Sequence, residues 1–291
     1  RKLRRALAEE EAMARLSFVR QVDGHLQVAY ELHGAGSADE QAAQLCGITS
    51  RCLGKPMTIA ERERAHVRLT EMPLMMVEAG AASRCIAGAD ICGDTFSLGQ
   101  LQDGRFVAAL SDGMGSGESA HCEAAMTIRL LRQFLQAGIE PLPALKTLNT
   151  AAMLRCQGGA GFTTIDLACL DRAEGVLTLY KYGAAPSYIK RQGAVARYRA
   201  QALPAGLESA DGDVPPQRVA VSPGTWLVQV SDGVAGEDDE WLQDLLAGWD
   251  GTSPRALAEE LLRQSVQRTG GADDCAVLVM AIDGKADPHR V

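Results

Sequence analysis

Two Ser-Asp-Gly triplets close apolar runs in this chain, FVAALSDGMGSG around Asp112 and TWLVQVSDGVAG around Asp232. Each run reads as a buried strand, and each glycine allows a sharp turn, so the aspartate emerges at the rim of a sheet. Asp94, in ICGDTF, stands just before another apolar stretch, and Asp273 and Asp274 open the last one, DDCAVLVMAI. Carboxylates at strand ends, with no clustered His or Cys beside them, are the donors that hard divalent cations take. Two such cations acidify a bridging water and clamp the oxygens of a phosphoryl group in an in-line displacement. The chemistry these acids point to is metal-assisted hydrolysis with Mg²⁺ or Mn²⁺, and Gly113 lets the backbone carbonyl approach the same ions.

A single Ser-Asp-Gly is more often a turn or a helix N-cap than a ligand. The number of the acids, their common strand-end setting and their order favour a site. Asp23-Gly24-His25 does not qualify, because it lacks the following glycines and sits inside a hairpin pattern.

The elements that must carry these acids form an ordinary globular pattern. The 291 residues suit one large domain, or a large one with a small partner, and 46% hydrophobic residues can bury a sizeable core. A net charge of −8 argues against nucleic-acid binding, and the scarcity of aromatics argues against single-strand stacking. Eight cysteines without a C-x-x-C pair read as small, reduced, buried thiols of a cytoplasmic protein. No apolar run is long enough to span a bilayer, and the chain, which begins with Arg1, reads as a piece of a longer product.

Residues 1–16 suggest a helix with Leu3, Leu7, Met13 and Leu16 on one stripe. A hairpin at 17–33 and a helix at 38–53 ended by Gly54 follow, then strands at 64–71 and 75–83. Residues 1–80 are expected to form a linker helix and a small regulatory α/β module, and residues 81–285 the catalytic domain. Within the latter, a hairpin at 95–111 leads to helices at 124–135 and 143–155, then three or four strands over 162–199. Strands at 216–222 and 224–231, helices at 238–248 and 254–268, and a strand at 275–282 complete it. Strand runs with inserted helices imply an α+β fold of two packed sheets flanked by helices.

The stretches SDGMGSGESAH, EAAMTIRLLRQFLQAGIEPLPALKTLN, TTIDLACLD, YGAAPSYIKR, LPAGL, VSDG and DDCAVLV resemble the stage II sporulation protein E family of PPM-type metal-dependent serine/threonine phosphatases. The resemblance covers roughly residues 80–283. It implies an αββα sandwich of two antiparallel sheets and direct attack on phosphorus by a metal-bound hydroxide. Carried over by motif, Asp94 ligates one metal, Asp112 bridges two, the Gly113 carbonyl adds a ligand, and Asp232 and Asp273 complete the shells, with Asp274 competing for the last place. The implied substrate is a phosphoserine on an anti-anti-sigma factor, whose release activates a forespore sigma factor. A tubulin-like division protein and a second copy of the chain are further implied partners, with a membrane-anchored, septum-associated full-length protein. A largely non-catalytic septal scaffold is the competing reading.

Met114 stands where many relatives outside bacteria have a histidine, and Cys275 and Ala276 stand where Met and Thr are usual. His121 is a substitute candidate for a leaving-group acid, although a structural histidine is the commoner role. Lys190 and Arg191 are candidates to meet the substrate, against the blander reading of a solvated turn. QGGAGF lacks the Lys-Ser/Thr of a phosphate-binding P-loop.

Overall fold

Alternating apolar residues punctuated by turn residues set most of this chain into antiparallel strands. The computed structural model describes residues 2–283 apart from 23–24, 34–36, 56, 64, 72–74, 102, 116, 158–160, 173, 208–214 and 237. The predicted turn at Asp23-Gly24 and part of QGGAGF therefore lie outside the described residues. The chain divides into two compact units, one ending at residue 74 and one beginning at Met75.

The first unit contains α1 (Lys2–Glu9), β1 (Ala14–Val22), β2 (His25–Leu32), α2 (Ala38–Leu53), β3 (Met57–Glu63) and β4 (His66–Glu71). Its antiparallel sheet has the order β1-β2-β4-β3. Leu3 and Leu7 of α1 join Leu45 and Ile48 of α2 over Val28, Tyr30, Val67 and Leu69 of the sheet. α2 ends at Gly54, whose φ of 65° is the left-handed cap its position predicts.

The opening helix is shorter than its apolar stripe suggests. α1 stops at Glu9, Met13 is exposed, and Leu16 belongs to β1. Glu9, Glu10 and Glu11 would crowd the negative end of a longer helix dipole, and Glu11 turns the chain with a φ of 49°. β3 escaped the sequence reading because, of its seven residues, only Met57 is fully buried, so no period-two pattern shows.

The second unit runs β5 (Met76–Arg84), β6 (Asp94–Gln100), β7 (Phe106–Asp112), α3 (Glu118–Gln136), α4 (Pro141–Gln157), β8 (Ile165–Asp171) and β9 (Val176–Tyr182). It continues with β10 (Ser187–Arg191), β11 (Ala194–Tyr198), β12 (Gln217–Ala220), β13 (Thr225–Val230), α5 (Asp232–Ala235), α6 (Glu240–Gly248), α7 (Pro254–Thr269) and β14 (Cys275–Asp283). One antiparallel sheet has the order β11-β10-β13-β14-β5 and the other β12-β9-β8-β7-β6. β5 pairs with β14 along its whole length, so residues 76–80, expected in the first module, belong to this sheet.

Three apolar layers hold the unit together. Val107, Ala109, Ile165 and Leu167 face Ile128 and Leu131 of α3 and Leu145 and Leu148 of α4. The alternate residues of the same strands, Ala108, Leu110, Ala168 and Leu170, face Leu227, Leu278 and Met280 of the other sheet. That sheet in turn buries Val228, Val277 and Val279 against Leu246 of α6 and Leu257 and Leu261 of α7. The αββα sandwich of two antiparallel sheets is thus present. Burial on both faces is why β7, β8 and β14 read as unbroken apolar runs.

One polar bridge crosses the apolar layer between the sheets. Asp166 on β8 accepts from Lys181 Nζ of β9 at 2.5 Å and from Ser187 Oγ of β10 at 2.6 Å. Lys181 also donates to Ser187 at 2.7 Å, and Gln229 of β13 donates to the Asp166 carbonyl at 3.1 Å. A charged pair this deep stands only because each member partners the other. Among the described residues, no helix is long and apolar enough to cross a membrane.

Candidate metal centre

The first two acids meet because β6 and β7 are paired in register. Asp94 stands directly opposite Asp112, so their side chains share one face of the sheet end. The Asp112 main chain is clamped by two residues just before β8. Thr164 Oγ1 accepts from the Asp112 N–H at 3.0 Å, and the Asp112 carbonyl accepts from Thr163 Oγ1 at 2.8 Å and the Thr164 N–H at 2.9 Å. Ser111, fully buried, bonds Thr163 Oγ1 at 2.9 Å and donates to the Thr164 carbonyl at 2.7 Å. The Thr-Thr pair has no signal of this role in the sequence beyond opening the strand run expected from residue 162.

Gly113 is dictated by packing. A Cβ there would lie 2.1 Å from the Ala120 carbonyl oxygen, so the first turn of α3 rests on the bare glycine backbone. Gly113→Ala is expected to push α3 off the centre, lower the unfolding midpoint and reduce activity. A normal midpoint with normal turnover in that variant would refute the contact's importance.

The other two acids come from the second sheet. Asp232 opens α5 immediately after β13, and Ser231 ties that junction to β14 by donating its N–H to the Ala276 carbonyl at 3.0 Å and accepting the Ala276 N–H at 2.9 Å. Gly233 repeats the packing logic of Gly113: a Cβ would lie 2.1 Å from the Asp274 carbonyl oxygen and 3.1 Å from the Asp273 Cβ. The two triplets are therefore alike in construction. In each, the serine fastens a strand to its neighbour, the aspartate faces the cluster, and the glycine admits another backbone.

Asp273 and Asp274 diverge. Asp273 is exposed and, with Asp232, belongs to the charge environment of Asp112. Asp274 is buried, and its carboxylate accepts the N–H groups of Ile86 at 2.7 Å and Gly93 at 2.8 Å. The second aspartate thus serves the loop that leads into β6.

Burial and mutual repulsion raise the affinity of Asp94, Asp112 and Asp232 for protons. Desolvation, with the negative charges of Asp232, Asp274 and Asp273, lifts Asp94 to about 7. Asp112 and Asp232 form a tightly coupled pair, each pushed up from the ordinary carboxylate range by burial first and neighbouring acids second. Asp94 is 6% exposed, and neither of its carboxylate oxygens has a hydrogen-bond partner among the described residues. A buried carboxylate without a partner is costly, and a hard cation supplies the missing charge and coordination. The donor set fits Mg²⁺ or Mn²⁺.

The remaining candidates are used elsewhere. His121 Nδ1 donates to the Cys92 carbonyl at 2.8 Å, which anchors the loop before β6. Lys190 is buried on β10 and donates to the Trp249 carbonyl, while Arg191 donates to the Ala220 carbonyl at 2.5 Å. Neither sits in a solvated turn. The Met114 side chain is 56% exposed.

Comparison with known proteins identifies the fold and the family. The family model for stage II sporulation protein E matches residues 102–283. Stage II sporulation protein E of Priestia megaterium is 30% identical over 274 residues, 89% of this chain and 46% of the relative. Its namesake from Bacillus subtilis (strain 168) is 31% identical over 227 residues, 75% of this chain and 27% of the relative. The chain thus spans less than half the length of these curated relatives. The solved PP2C phosphatase domain with a fragment of the regulatory domain of the Bacillus subtilis protein superposes with a TM-score of 0.75 at 26% identity, covering 98% of this chain and 88% of that one. RsbX in complex with magnesium shares the fold at a TM-score of 0.56 and 16% identity, covering 78% of this chain and 100% of that one. Acids at strand ends of a two-sheet sandwich, a matching family model and full-length superposition converge, and the chain belongs to the stage II sporulation protein E family, with its PP2C-type phosphatase fold.

Proposed function

We propose that this chain is a Mn²⁺- or Mg²⁺-dependent serine/threonine phosphoprotein phosphatase. The observation that carries the reading is the convergence of Asp94, Asp112, Asp232 and Asp273 from two sheets, with both oxygens of buried Asp94 left for a cation. Asp94 and Asp232 would each hold one cation, Asp112 would bridge two, and the Gly113 carbonyl and Asp273 would complete the set. Bound there, two such cations acidify a water and draw charge from the phosphoryl oxygens. The chain's own contribution is positional. Thr163 and Thr164 fix the Asp112 backbone, and Ser231 fixes the turn that presents Asp232. The exposed side of the cluster, marked by Asp273 and Met114, leaves room for a phosphoserine carried on a protein surface.

The family supports a phosphorylated anti-anti-sigma factor as substrate, with activation of a sporulation sigma factor as the outcome. It also supports a full-length protein anchored at the division septum, where a tubulin-like protein and a second copy of this chain would be its partners. The test is release of inorganic phosphate from a phosphoserine anti-anti-sigma factor by the purified chain with Mn²⁺. Metal-dependent release is expected; a well-folded, metal-loaded chain that releases none would leave the scaffold reading standing.

A further inference from the structure

Beside the acid cluster, the described residues bring a second kind of donor together. Cys85 follows β5, Cys92 lies just before β6, and Asp274 precedes β14. The two Sγ atoms and a carboxylate oxygen of Asp274 all lie within 4.8 Å of one another. Both thiols are half-buried, while Asp274 is 4% exposed.

The surroundings hold these donors in place. Asp274 accepts the N–H of Ile86, next to Cys85, and the N–H of Gly93, next to Cys92, so one carboxylate fastens both ends of the intervening loop. His121 Nδ1 donates to the Cys92 carbonyl from α3. Each Asp274 oxygen keeps a lone pair beyond the hydrogen bond it accepts. Metal-ligating carboxylates are oriented in this way by outer hydrogen bonds.

We propose that Cys85, Cys92 and Asp274 form a site for one thiophilic divalent cation of the zinc type, separate from the oxygen-lined centre. Zinc takes sulfur at about 2.3 Å and carboxylate oxygen at about 2.0–2.2 Å, which sets tetrahedral donors roughly 3.4–3.8 Å apart. Donors already within 4.8 Å reach that spacing with side-chain shifts of about 1 Å. The half-exposed thiols leave the fourth position to water. Two thiolates select against Mg²⁺ and Mn²⁺, whereas the four aspartates offer only oxygen, so the two sites sort their cations by softness. On binding, the two thiols release two protons to solvent and the cation takes their place. The sequence conceals the site because Asp274 is distant in the chain and the cysteines are separated by six residues.

The experiment uses the whole chain, purified under reducing conditions and titrated with Zn²⁺ and with Co²⁺ as a spectroscopic substitute. One zinc per chain is expected by elemental analysis, with a near-ultraviolet sulfur-to-cobalt charge-transfer band. Cys85→Ser and Cys92→Ser should each weaken zinc at least about 10-fold and diminish the band, while Asp112→Asn should retain both. The wild-type cobalt spectrum reads sulfur coordination even if a serine variant folds poorly. Cobalt binding without the sulfur band would overturn the proposal, as would a band that persists in the folded double serine variant. Reduced protein that takes up no zinc would overturn it equally.

Discussion

Asp112→Asn should reduce phosphate release by more than about 100-fold, the larger figure for losing a mere outer-shell partner of a metal site, and should raise the thermal stability of the metal-free protein. Both effects come from one change. Asp112 stands in register with Asp94 and shares a coupled charge environment with Asp232, so removing its charge relieves repulsion that burial intensifies. The same change deletes the carboxylate positioned between the two halves of the cluster. The threonine clamp acts on the Asp112 main chain, which the substitution leaves intact, so α3 and β8 should stay in place. Circular dichroism, melting in chelator and phosphate release with Mn²⁺ check the three parts. Near-normal turnover in this variant would remove Asp112 from the catalytic role.

Metal-free protein should lose stability as pH rises from about 4 to about 7, and Mn²⁺ should reverse that trend. Asp94 ionises near 3.8 in an unfolded chain but near 7 in the fold. Between those values the native state holds a proton that the unfolded state has released. The slope of unfolding free energy with pH is then negative, and the contribution lost is on the order of a few kcal/mol. The raised affinities of Asp112 and Asp232 add in the same direction. A cation competes with these protons, so its stabilisation should grow as pH rises through 7. Melting curves at several pH values, with chelator and with Mn²⁺, read both slopes. A metal-free midpoint that climbs with pH throughout this window would contradict the repulsion described for the cluster.

Much of the catalytic unit was legible because its strands are buried on both faces and its turns are marked by glycine. β7 and β13 announce themselves as apolar runs ending beside acids, β14 as one that follows them, and α3 shows a clear apolar stripe. The first module was less readable for the opposite reason. β1 and β3 expose most of their side chains, so their pattern carries little burial signal, and the acidic run after α1 decided a boundary that hydrophobic spacing blurred. Long-range polar contacts were invisible at either scale. The threonine clamp on Asp112, the inter-sheet pair of Asp166 and Lys181, and the Asp274 grip on the loop before β6 depend on strand order, which local spacing does not encode. The twin glycines were legible as turns, but their real constraint is a neighbouring backbone within 2.1 Å of where a Cβ would stand.

The last strand among the described residues does not lie at an edge: β14 is inserted between β13 and β5. Asp273 stands at its threshold, and Ser231, which presents Asp232, takes both its backbone and side-chain anchors from Ala276 on the same strand. The first two acids, Asp94 and Asp112, are set by the pairing of β6 with β7, whereas the second two, Asp232 and Asp273, are set by the pairing of β13 with β14. The two halves of the acid cluster thus depend on different strand pairings.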